Sequence, residues 1–256
     1  MRKSDKIGFL KVFLWASIAG LTGLIKHSDA QIIRKTTVEF HSADSLLITA
    51  DLYLSRPEDP YILFFHMENS SRGEYDSIAE RFVKMRYNCL AVDLRLGGSF
   101  GYVNNRTAPR AREMRVSTKQ GIEKDIKASI SFIEAMSDEK VILLGSSLSA
   151  TLALKAAAED QRVKAVMAFS PGEFLQPQNT LRKILKKLTI PAYIACNQVE
   201  YPYLLQAVEG VEGSFLTLFE PPQDTRERGS GMLRRNNPTY DEYWFSVLIF
   251  IKSLQN

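Results

Sequence analysis

The chain has 256 residues, 45% of them hydrophobic and 24% charged, with a formal charge of +4. That balance excludes a disordered or low-complexity chain and is enough for one large α/β core. With only two cysteines a disulfide-dense scaffold is excluded as well.

Arg2, Lys3 and Lys6 precede an apolar run at residues 12–25, and Ser28, Asp29 and Ala30 put small residues ahead of Gln31. This is the pattern of a secretory signal cut after Ala30, which predicts a leader at 1–30 and a single domain at 31–256. The rival reading is an uncleaved membrane anchor, because residues 7–25 approach spanning length, although Lys11 interrupts them. Losing residues 1–30 removes five basic and two acidic side chains and leaves 28 basic against 27 acidic. A nearly neutral mature protein gives no reason to expect a nucleic-acid partner. The expected location is periplasmic or extracellular, or the membrane surface if the segment is retained.

Residues 36–54 alternate apolar and polar on both sides of "SAD", the pattern of a hairpin with one solvated face. Beyond the break at "RPEDP", the runs "YILFFH", "CLAVDL", "VILLG", "VKAVMAFS", "PAYIAC" and "SFLTLF" read as strands buried on both faces. Helical stretches fall between them: residues 74–85, a stripe of Ile122, Ile126, Ile130 and Ile133, residues 150–158, and residues 240–254. The alternation predicts an α/β fold, a doubly wound and mostly parallel sheet opened by an antiparallel hairpin. Residues 172–188 read as an amphipathic crossover helix or as an excursion over the site. Cys89 and Cys196 lie inside apolar runs, which predicts two buried thiols, and their spacing fits no metal site.

"VILLGSSLSATLALKAAA" joins an apolar strand to an Ala- and Leu-rich helix through Gly145, Ser146, Ser147, Leu148 and Ser149. The pattern G-x-S-x-S is a variant of the G-x-S-x-G elbow, in which small residues let strand and helix approach across a strained turn and expose a serine. Ser147 is the candidate nucleophile; a turn of small residues without chemistry is the plain alternative. The serines of "NSSRGEY", residues 69–75, read as caps ahead of a helix.

Together with "HMENSSRGEYDSIAERFVKMRYNCLAVDLRLGG", residues 66–98, and "VNNRTAPRA", residues 103–111, the elbow resembles the α/β-hydrolase superfamily, in its bacterial dienelactone-hydrolase-like, serine-esterase-like branch. The resemblance implies an α/β-hydrolase fold over residues 35–254 and attack by Ser147 on a small ester or acyl substrate. It implies an oxyanion hole formed by the backbone N–H groups of Leu148 and Met67. By position it assigns the triad acid to Glu200, after "IPAYIACNQVE", with an ordinary surface carboxylate as the equal alternative. Members of the superfamily carry the catalytic histidine in the loop before the last helix, here residues 220–239, where there is none. Arg228 of "RGSGML" stands in its place, and a guanidinium stays protonated and cannot act as a general base.

His27, His41 and His66 are the only histidines. His66, at the end of the third buried strand, is either a relocated base for Ser147 or a backbone-bonded residue that shapes the oxyanion loop. Arg226, Arg228, Arg234 and Arg235 are candidates for clamping a carboxylate or phosphate, or form a solvated loop balanced by Asp224 and Glu227. Asp93 and Arg95 are expected to shape the rim of the site. No cofactor and no metal are indicated, since phosphate-binding glycine loops and histidine–carboxylate clusters are missing. Two functions remain: an exported serine hydrolase with an incomplete or rearranged triad, or an inactive hydrolase-fold protein that binds a ligand or partner.

Overall fold

The computed structural model describes residues 33–177, 180–211, 213, 215–220 and 226–255. The leader or anchor expected at residues 1–30 and Asp224 lie outside them. Among the described residues eight strands form one sheet: β1 (Arg34–His41), β2 (Leu47–Leu54), β3 (Tyr61–Phe65), β4 (Asn88–Val92), β7 (Val141–Ser146), β8 (Val163–Phe169), β9 (Ala192–Ala195) and β10 (Leu216–Phe219). Their spatial order is β1-β2-β4-β3-β7-β8-β9-β10. β1 and β2 pair antiparallel from Arg34↔Leu54 to His41↔Leu47, β2 pairs antiparallel with β4, and every other pairing is parallel. The separate ribbon of β5 (Ser99–Phe100) and β6 (Val103–Asn104) stands in the loop after β4.

Among the described residues the helices are α1 (Asp76–Lys84), α2 (Thr107–Glu113), α3 (Ile122–Glu134), α4 (Leu148–Glu159), α5 (Thr180–Lys187), α6 (Tyr201–Val208) and α7 (Tyr240–Ser253). The stripe of Ile122, Ile126, Ile130 and Ile133 is buried on α3, as its spacing requires. Between residues 172 and 188 lies the crossover helix α5, with Leu181, Ile184 and Leu185 buried. α1 starts at Asp76, after a 3-10 turn (Arg72–Tyr75) whose cap Ser71 accepts from the Gly73 N–H. Cys89 and Cys196 are buried free thiols.

The chain leaves β3 toward β4 on one side and returns to place β7 on the other. Such a reversal opens a crevice at the carboxyl ends of the two strands, where ligands of open α/β sheets bind. Here those ends carry His66 and Met67 beside Ser146 and Ser147.

Two buried arginines tie down the rim. Arg72 lies 3.0 Å from Asp51 and 2.7 Å from Asp93, while Arg95 lies 2.7 Å from Asp125 and 2.8 Å from Asp44. The two carboxyls that share the Arg95 guanidinium are nevertheless shifted in opposite directions. Its hydrogen bonds hold Asp44 well below the usual carboxylate range, whereas burial, the larger effect, pushes Asp125 up. Because the folded value of Asp44 is depressed, its contribution is complete above the unfolded value of about 3.9 and is lost as pH falls below that. Asp44→Asn should lower the melting temperature at pH 7, and the gap to wild type should begin to narrow below about pH 4 while staying largely open at pH 3. A pH-independent gap in thermal unfolding would show that the carboxylate's charge plays no part.

Candidate active site

Ser147 occupies the turn between β7 and α4 with φ 57° and ψ −122°, a backbone conformation that costs about 1–3 kcal/mol outside glycine. Two features hold it there. The Ser147 N–H donates to the Phe169 carbonyl at 2.9 Å. A Cβ at Gly145 would lie 2.4 Å from the Ser149 carbonyl oxygen and 2.7 Å from the Ala150 Cα, so only glycine lets β7 and α4 come this close. Ser149, where the usual elbow has its second glycine, donates its hydroxyl to the His66 carbonyl at 2.7 Å and ties α4 to the end of β3. Among the described residues the Leu148 N–H, at the first position of α4, has no acceptor.

The last loop is pinned against this elbow. The Ser230 N–H donates to Ser146 Oγ at 2.7 Å and the Gly229 N–H to Ser170 Oγ at 2.9 Å. Gly229 has φ +56°, and a Cβ there would meet Ser146 Oγ at 2.9 Å. Ser170 Oγ in turn donates to Glu200 Oε2 at 2.6 Å, and the Arg228 Nε donates to Glu200 Oε1 at 2.5 Å. Glu200 precedes α6 and is placed by Asn197, whose Oδ1 accepts the Glu200 N–H at 2.9 Å and whose Nδ2 donates to the Glu227 carbonyl at 3.2 Å. Glu200 and Arg228 therefore meet as an ion pair.

His66 does not reach for the serine. Its Nδ1 lies 2.7 Å from the Met67 carbonyl, which can only accept, so Nδ1 carries the proton. Its Nε2 accepts the Leu94 N–H at 3.0 Å and has the Asn105 amide at 3.2 Å. The ring is fully buried and both nitrogens are engaged, which corrects the relocated-base reading: His66 joins the loops after β3 and β4.

Met67 also departs from expectation. Its N–H donates to Glu74 Oε2 at 3.1 Å, so the donor assigned to the oxyanion hole already has a carboxylate partner. The other oxygen, Glu74 Oε1, accepts the Ser230 hydroxyl at 2.6 Å. Glu74 is buried and bridges the loop after β3 to the loop bearing Arg228. Beside it, the Tyr75 hydroxyl lies 2.8 Å from the Phe65 carbonyl and 3.2 Å from Ser146 Oγ. Burial raises the Tyr75 phenol well above its ordinary value, so it stays a protonated donor. Glu74→Ala should cost about 1.5–3 kcal/mol, the range for hydrogen bonds to a charged group, and should lower amide protection across Gly229–Leu233. Unchanged hydrogen exchange there would remove Glu74 from this role.

The four arginines of the late loop do not converge. Arg228 pairs with Glu200, while Arg234 lies over the Phe100 ring at 4.1 Å. Arg235 lines a different groove, and Arg226 shares with Arg228, Val199 and Tyr203 a depression of about 450 Å³ beside Glu200. Asp93 and Arg95 act at the rim through the buried ion pairs described above. Cys196, near Glu200, is no rival nucleophile, because burial pushes its thiol up to about 12.

The sequence signature of the dienelactone hydrolase family is matched by residues 52–199, more than half of the chain, elbow included. The chain belongs to the dienelactone hydrolase family. No curated protein sequence matches it. Its fold is similar to that of the esterase Pf2001 from Pyrococcus furiosus, at 15% identity and a TM-score of 0.65, covering 88% of this chain and 92% of that one. The dienelactone hydrolase from Anabaena variabilis matches at 15% identity and a TM-score of 0.61, over 87% and 96%. A cold-adapted esterase from an Arctic intertidal metagenomic library matches at 14% identity and a TM-score of 0.63, over 85% and 93%. Identities this low establish the α/β-hydrolase fold, and the family signature ends one residue before Glu200.

Proposed function

We propose that this member of the dienelactone hydrolase family binds a small ester or acyl compound at its elbow without turning it over. The carrying observation is the 2.5 Å contact between Arg228 Nε and Glu200 Oε1. A general base contributes about 10² to 10⁴-fold, and neither a guanidinium nor the engaged His66 ring supplies one. What remains is a held serine, the Leu148 N–H and a depression lined by Val199, Tyr203 and two arginines. The basic start, apolar run and small residues before Gln31 support export of the protein. Mass measurement of the protein recovered from its native cell should then find a chain beginning at Gln31.

Intact-mass labelling with a fluorophosphonate tests the silent site. The wild-type chain is expected to stay unmodified over a period in which an active serine esterase is fully labelled. Stoichiometric labelling that vanishes in Ser147→Ala would overturn the proposal and make the protein a serine hydrolase with an unrecognised base.

A further inference from the structure

We propose that the groove between α1 and the start of α7 is a second binding site, one for a phosphate-bearing ligand. It shares no residue with Ser147, Glu200 or Arg228, so it does not depend on the function proposed above. The groove holds about 760 Å³, within the range of small-molecule sites. Ser77, Arg81 and Lys84 share one face of α1 by their spacing. Tyr240 and Trp244, one turn apart on α7, form the other wall with Leu233 and Arg235.

Arg81 is already oriented. Its guanidinium carbon lies 4.2 Å from the centre of the Trp244 ring and 5.8 Å from that of Tyr240. Stacking on the aromatic faces fixes the plane of the group and leaves its N–H edge for a ligand. Among the described residues no carboxylate oxygen comes within 4.0 Å of the side-chain nitrogens of Arg81, Lys84 or Arg235. Glu80 is the single acidic residue of the lining, which leaves an excess of about two positive charges. A phosphomonoester carries about −1.5 to −2 at neutral pH and offers three acceptor oxygens, whereas a carboxylate would leave a cation uncompensated. Two guanidinium groups, an ammonium and the Ser77 hydroxyl are the donors such a group needs.

The chain holds two tryptophans, so full-length protein carrying Trp15→Phe reports on Trp244 alone. It would be titrated with glycerol 3-phosphate, and separately with vesicles of phosphatidic acid in phosphatidylcholine, against pure phosphatidylcholine vesicles. A saturable change in Trp244 emission, matched by calorimetry, is expected with at least one phosphomonoester. Arg81→Gln with Arg235→Gln should weaken it by about tenfold or more in a protein that still unfolds cooperatively, and Glu80→Gln should tighten it. Response to glycerol 3-phosphate identifies a soluble ligand; response to the phosphatidic acid vesicles alone identifies a lipid headgroup. No response to either, or an affinity that the double arginine variant leaves unchanged, overturns the site.

Discussion

Arg228→His is expected to switch on Ser147, raising its rate of fluorophosphonate labelling by about 10² to 10⁴-fold, the usual worth of a general base. Much of the scaffold for this is in place. Gly145 permits the strained elbow, and Ser146 and Ser170 hold the N–H groups of Ser230 and Gly229. Glu200 already contacts residue 228 through the atom that would orient an imidazole. Since the backbone of the loop is fixed by contacts that do not involve the residue 228 side chain, the exchange should leave the melting temperature almost unchanged. Adding Ser147→Ala should abolish the gain. A folded Arg228→His variant that remains unlabelled would show that the missing base is not the main deficiency. Attention would then pass to Met67, whose N–H is held by Glu74.

Arg95→Ala should be the most damaging single change to stability, at about 3–5 kcal/mol, because it strands a charged partner in the core. The Asp125 side chain is wholly buried, and Arg95 donates to it through Nε, Nη2 and its backbone N–H. The same guanidinium reaches Asp44 in the β1–β2 turn and the Val116 carbonyl, so its loss also frees the loop after β4 from α3. For a chain of this size the melting temperature should fall by about 10 °C or more. Arg95→Met with Asp125→Leu should recover much of that loss, since a packed apolar pair often equals a buried ion pair. A single variant within about 1 kcal/mol of wild type in denaturant unfolding would mean that Asp125 is solvated or neutral there.

The sequence by itself determined the fold class, the order of the eight strands of the main sheet, the helices α1, α3, α4 and α7, and the place of Ser147 between a strand and a helix. Each depends on local patterns: apolar runs of strand length, the isoleucine stripe of α3, and small residues between a strand and a helix. The absence of a late histidine was equally legible, since it needs only the chain order. That Arg228 pairs with Glu200 was decided by tertiary structure, because the two are 28 positions apart and meet only when α6 and the last loop fold onto the sheet end. Glu74 could be read only as part of a capped turn, since its partner Ser230 lies 156 positions away. His66 showed the same limit in reverse. Its position beside the crevice suggested a base, and the direction of its ring, set by the Met67 carbonyl and the Leu94 N–H, removed it from that role. Periodicity and turn chemistry fix where the chain bends and which faces are buried; which polar atoms meet across a crevice depends on side-chain direction and on contacts between distant loops.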